Sequence, residues 1–131
     1  MPAILFPDIE AHLITYLRTM LAARPEPFAS GVWVGNLLPR EVPARAVLVR
    51  DDGGPHLSDV RGVARIGVNA FAASHADVSD LANLVSALVG GCADGKPVVR
   101  ASTTRPYSVT DDAGKPRMYF TGELIVRGTS L

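Results

Sequence analysis

The side chains able to do chemistry are few in this chain, and they are scattered. There are three histidines, His12, His56 and His75, and one cysteine, Cys92. No histidine has a second His or Cys at the spacing of a metal-binding pair. Each reads as an isolated surface or structural residue. Cys92 follows two glycines in GGCADG, with no neighbouring cation that would lower a thiol pKa, so it reads as a small, partly buried residue. A hydrolytic triad needs Ser or Cys set against His and an acid, and the chain has no G-x-S-x-G elbow. No catalytic, cofactor-binding or metal-ligating set is therefore assigned.

The same test applies to the remaining motifs. GGCADGK is glycine-rich, but its spacing fits neither G-x-G-x-x-G nor the lysine-bearing phosphate loop. It follows a helical pattern, whereas both motifs follow a strand, so a helix stop is the better reading. The pairs Asp51-Asp52 and Asp111-Asp112 stand beside glycines, where turn chemistry accounts for them. Arg61 and Arg65 share the outward side of an alternating strand with Asn69, and a solvated face is the default for such residues.

Composition narrows the classes further. The 131 residues hold 13 basic and 13 acidic side chains, with 47% hydrophobic and 20% charged residues. One domain over residues 1–131 is expected, able to bury about two-thirds of its extended surface. A neutral chain has no bulk charge with which to grip nucleic acid. Neutrality also favours association. One cysteine cannot form an internal disulfide. The opening MPAILFPDIE lacks a basic region and is interrupted by Pro7, unlike a signal peptide. No apolar run approaches the ~18–20 residues of a membrane span. A soluble protein made in a cytoplasm is expected.

The elements that must position these residues follow from periodicity. A helix is expected from about Pro7 to Ala23, with Ile9, Leu13, Tyr16, Leu17, Met20 and Leu21 on one stripe and Pro7 in its first turn. Short strands are expected at Val32–Val34 and Ala44–Arg50. The turn-rich stretch Asp51–Asp59 is long enough to project. Val60 to Phe71 alternates, with Val60, Ala64, Ile66, Val68 and Ala70 on the buried side. A second helix begins near Ser74, buries Val78, Leu81, Ala82, Val85, Leu88 and Val89, turns Ser79, Asn83 and Ser86 outward, and ends left-handed at Gly90 and Gly91. Strands from Val98 to Val109, limited by Pro106, and from Arg117 onward close the chain. In the last, Met118, Phe120, Leu124 and Val126 alternate with Arg117, Tyr119, Thr121 and Glu123.

The expected fold class is α+β, in the order α-β-β-β-α-β-β. A mostly antiparallel sheet of four to five strands carries two helices packed on one face. That leaves the other face uncovered, with Trp33, Tyr119, Ile125 and Val63 on or near it. Apolar groups rimmed by Arg and Glu on a neutral protein suggest a protein partner.

Three stretches carry a family resemblance. FPDIEAHLITYLRTML resembles the first helix of the tail terminator proteins of long-tailed bacteriophages. VLVRDDGGPHLSDVRGVARIGVNAFAASHADVSDLANLVSAL resembles their central hairpin, long strand and second helix. TTRPYSVTDDAGKPRMYFTGELIVRG resembles their final hairpin. The resemblance implies a structural virion protein without enzymatic activity or cofactor, sited in the tail at the head–tail junction. It implies a homo-oligomer, a hexameric ring that ends tube polymerisation and offers a docking surface to the head. The implied partners are the major tail tube protein and a head-completion or connector protein, with the genome passing through the lumen unread. No membrane is involved. Heterologous ring contacts make Arg50, Asp51, Asp52, His56, Arg61, Arg65, Asp111, Asp112, Arg117 and Glu123 the expected protein-interface residues. Two other readings compete. One is a different head–tail joining or head-completion protein. The other is a small α+β ligand-binding domain or enzyme, which would need a concave pocket with convergent polar groups.

Overall fold

A two-residue strand, β1 (Ile4–Leu5), precedes the first helix, α1 (Ile9–Ala22). Ile9, Leu13, Leu17 and Leu21 fall one turn apart and are all buried. Asp8 starts the helix: its backbone is extended, and its Oδ1 accepts from the Ala11 amide at 3.0 Å. Pro7 thus lies before the cap and not within the first turn, because Asp8 supplies the acceptor that the orphan amides need. The computed structural model describes residues 3–131, so the first two residues of the MPAILFPDIE opening lie outside it.

After a single 3-10 turn at Pro27–Ala29 come β2 (Trp33–Gly35), β3 (Ala46–Asp51) and β4 (Arg61–Phe71). The second helix, α2 (His75–Gly90), is capped by the Ser74 hydroxyl, which accepts from the Asp77 amide at 3.1 Å. Val78, Leu81, Ala82, Val85 and Val89 are buried along it. Ser86, expected outward, is buried too, because its hydroxyl donates to Thr104 O at 3.2 Å and lies 3.0 Å from Thr103 Oγ1. The helix does not end left-handed. Gly91 has φ −96°, and its amide donates to Ala87 O and Leu88 O in a tightened last turn. The left-handed glycines are Gly31, Gly53, Gly95 and Gly114, all outside helices and strands.

The chain closes with β5 (Val98–Thr103), β6 (Tyr107–Ser108), β7 (Arg117–Arg127) and β8 (Thr129–Ser130). The main sheet runs β2-β3-β4-β7-β5, with β6 also paired to β7. Among the described residues only β2 and β3 pair in parallel; the other pairs are antiparallel. The strand expected at Val98–Val109 is broken into β5 and β6 around Pro106, which has no amide to give the ladder. A separate ribbon pairs β1 with β8.

Both helices cover one face of the sheet. The α1 helix lies against β2 and β3, and α2 lies against β4, β5 and β7. Between them Val47, Val49, Ile66, Val68, Phe120 and Leu124 form the core. Burying each such side chain contributes about 1.5–3 kcal/mol. Val60, expected in this core, is 40% exposed, because it belongs to the turn before β4 and not to the strand. The fold is α+β, with two helices on one face of a mostly antiparallel sheet.

Candidate functional site

Strand parity sends a defined set of side chains to the helix-free face. On β4 and β7 the odd-numbered residues point there, since Ala64, Ile66, Val68, Phe120, Leu124 and Val126 fill the core. Register then sets them side by side. Arg61 stands opposite Arg127, Arg65 opposite Glu123, Asn69 opposite Tyr119 and Phe71 opposite Arg117. Arg50 on β3 stands opposite Gly67, and Arg100 on β5 opposite Ile125.

The face therefore carries six arginines, Arg50, Arg61, Arg65, Arg100, Arg117 and Arg127, against two carboxylates, Glu123 and Asp52. Among the described residues, ion pairs within 4.0 Å join Arg24 to Glu26, Arg45 to Asp77 and Arg50 to Asp52. Arg61, Arg65, Arg100 and Arg127 are in none of them. Like charges directly across a ladder repel, so the Arg61–Arg127 pair is electrostatically unfavourable in the isolated subunit.

The middle of the face is more tightly closed. Arg117 Nε donates to Asn69 Oδ1 at 2.8 Å, and its guanidinium lies 5.8 Å from the Phe71 ring centre. Tyr119 meets Tyr107 edge-on at 5.8 Å. Burial pushes the Tyr119 phenol above its ordinary pKa, and the nearby Asp52 charge adds to the rise. Trp33 folds over Gly35, and Val63 is 8% exposed. Of the apolar residues expected on this face, Val63 is buried and Trp33, Tyr119 and Ile125 are half-buried, with exposed arginines around them.

The cover over Val63 is the stretch expected to project. Asp52 N donates to Arg65 O at 2.7 Å, Arg65 N to Gly53 O at 3.0 Å, Val63 N to Pro55 O at 2.8 Å and Leu57 N to Arg61 O at 2.8 Å. The segment thus extends β3 along β4 as an irregular arm, and the hairpin turns at Leu57–Val60. His56 packs its ring 4.9 Å from that of Phe6.

Of the expected interface residues, Arg50, Asp52, Arg61, Arg65, Arg117 and Glu123 share the helix-free face. Asp51 points to the helix side, where its amide donates to Glu10 Oε2 at 2.8 Å. Asp111 and Asp112 belong to the β6–β7 turn, where Asp111 Oδ2 accepts from Lys115 N at 3.2 Å. Arg100 and Arg127 were missed. Continuing the β7 alternation two steps past Ile125 places Arg127. Nothing in the sequence marks the bulge between Val98 and Arg100 that turns Arg100 outward.

One basin on this face has a volume of about 600 Å³. Leu57, Val60 and Ile125 lie among Arg61, Arg100 and Arg127, and no carboxylate lines it. A second, of about 380 Å³, holds Asp52, Arg65, Thr121 and Glu123. Among the described residues no group of three or more His, Cys, Asp or Glu could hold a metal ion, and no helix is long and apolar enough to cross a membrane. Cys92 is 4% exposed, and burial pushes its thiol up to about 11. At neutral pH it carries almost no thiolate.

No family model matches the sequence, and no curated protein matches it. The fold does have a solved counterpart. The chain is similar to a chain in the virion of a native gene transfer agent particle. The TM-score is 0.66, with 14% identity, over 93% of this chain and 100% of the other. The two share a fold over nearly their whole lengths.

Proposed function

We propose that the chain is a structural subunit of a phage-type virion, and within it the tail terminator. Copies close into a ring, read here as a hexamer, at the head-proximal end of the tail tube. The ring stops tube growth and presents a surface to the head-completion or connector protein. The role is mechanical, with the genome passing through unread.

The observation that carries this reading is the fold shared, end to end, with a chain of a gene transfer agent virion. Three features support it. The sequence resembles tail terminators in both helices and in the final hairpin. The helix-free face holds arginines that are in no ion pair among the described residues, as a surface made for assembly would. The buried, protonated Cys92 and the dispersed histidines offer no convergent catalytic set.

The experiment is to add the purified protein to assembling tail tube protein and image the products by electron microscopy. A terminator caps one end as a ring and shortens the tubes as its concentration rises. Tubes of unchanged length with bare ends would defeat the reading. The likeness is to a virion chain and assigns no position within the particle, which keeps a head-completion role as the second reading. That protein would bind the portal side and leave tube growth untouched.

A further inference from the structure

The basin rimmed by Arg61, Arg100 and Arg127 has an apolar floor and no carboxylate in its lining; Asp59 stands in the adjoining turn between Ser58 and Val60. Leu57 and Val60 are 56% and 40% exposed there, beside half-buried Ile125 and Val99. Phosphates would neutralise the arginines but gain nothing from the leucine and valine. A protein side chain with acidic neighbours would satisfy both.

The same chain carries such a feature on its other edge. Leu37 is 81% exposed, in the loop leaving β2. The residue before it, Asn36, donates from Nδ2 to Glu10 Oε1 at 2.7 Å, and Glu10 Oε2 accepts from the Asp51 amide. Glu10 thus joins the residue next to Leu37 to the end of β3 at Asp51, and neither acid is in an ion pair among the described residues. Among the residues that strand register and close contact assign to the helix-free face, six are arginines and two are carboxylates.

The two features cannot meet within one subunit. Asp51 continues the core-facing row of Val47 and Val49 on β3, whereas the arginines face the opposite side of the sheet. The β3 and β5 strands are also three ladder steps apart, about 14 Å. A knob on one surface and a matching basin elsewhere make a heterologous contact, which repeats from copy to copy and closes into a ring when the rotation allows.

We propose that Leu37 of one copy enters the arginine-rimmed basin of the next, with Glu10 and Asp51 facing Arg100 and Arg127. This rests on the ring reading above and names its subunit interface. The occupant is a second copy of this chain.

The test is a charge exchange read by sedimentation and by counting rings at tube ends. Arg100→Glu with Arg127→Glu, and separately Glu10→Lys with Asp51→Lys, should each lower ring formation at least tenfold. Mixed in equal amounts, the two variants should restore rings, because alternating copies then present opposite charges at every contact. Restoration also shows that both variants fold. Leu37→Arg should abolish rings and Leu37→Met should keep them. Arg100→Gln with Arg127→Gln, which adds no repulsion, should weaken rings at least threefold. Rings of normal stability from every variant would overturn the interface while leaving the ring reading standing. Failure of the mixture to recover, with both variants melting as wild type does, would overturn it too. If the arginine variants form rings but no longer hold the tube or head partner, the basin serves a different acidic protein and the proposal falls. If the wild-type protein never associates, alone or at tube ends, the ring reading fails and this contact with it.

Discussion

The Tyr119 hydroxyl lies directly over Gly67 of the neighbouring strand, so that a Cβ on residue 67 would stand 2.8 Å from it and 3.2 Å from Asp52 Oδ2. This is why the centre of the helix-free face can be flat: a glycine on β4 makes room for an aromatic ring from β7. Gly67→Ala forces the ring or the carboxylate aside and is expected to cost about 1–3 kcal/mol in urea unfolding. In a Tyr119→Phe background the same substitution should cost less than half as much, because the nearest atom is gone. An equal cost in both backgrounds would show that the hydroxyl is not what limits the site.

Gly54 makes the same kind of allowance for backbone. A Cβ there would stand 2.2 Å from Val63 O and 2.9 Å from its carbonyl carbon. Backbone within a ladder cannot give way, so Gly54→Ala should lift the Asp52–His56 arm from β4. The bonds from Val63 N to Pro55 O and from Arg65 N to Gly53 O would go with it. The expected loss is about 1–3 kcal/mol. The sharper readout is amide exchange, which should speed up at Val63 and Arg65 and stay unchanged at Val68 on the same strand.

What sequence could show, and what it could not, follows from element length. The Ile9–Leu13–Leu17–Leu21 stripe and the alternation along β4 and β7 are each long enough to carry a period, and the structure has those helices and strands. The β1–β8 ribbon pairs two residues with two and has no period to read. Face assignments failed where a local irregularity shifted the phase. Thr103 and Thr104 drew Ser86 inward, and the bulge between Val98 and Arg100 leaves β5 without an unbroken alternation to read. The candidate face was legible in outline, since Arg61, Arg65 and Glu123 obey strand parity. Its charge balance was not, because that depends on which strands lie side by side.

Arg117 holds Asn69 in place. Asn69 is 7% exposed, and its Oδ1 takes the Arg117 Nε bond at 2.8 Å. Arg117→Ala removes that donor and the contact with the Phe71 ring, and should cost about 1–3 kcal/mol by thermal or urea unfolding. Arg117→Lys should recover less than half, because an ammonium lacks the flat guanidinium that stacks and donates at once. Full recovery by lysine would mean that charge alone matters there.

Alkaline pH should destabilise the protein through two groups under the helices. The Cys92 thiol is raised to about 11 from an ordinary 9.0, first by burial and then by the Asp94 charge. The Tyr16 phenol, whose hydroxyl donates to Leu88 O at 2.7 Å, is also raised, mainly by burial. Both groups keep their protons in the folded state at pH values where the unfolded chain has lost them. Between pH 9 and 11 the native protein therefore binds more protons, and unfolding free energy falls as pH rises. Their contribution is complete below pH 9 and is lost as pH passes through the folded values. Urea midpoints measured from pH 7 to 11 should be flat up to about 9 and then decline. Cys92→Ala should flatten part of that decline, and Tyr16→Phe a further part. Alkylation of Cys92 by iodoacetamide should be far slower in native protein than in urea at pH 8, since the folded thiol is both protonated and covered. Native reaction as fast as that of the unfolded chain would show that the thiol is neither.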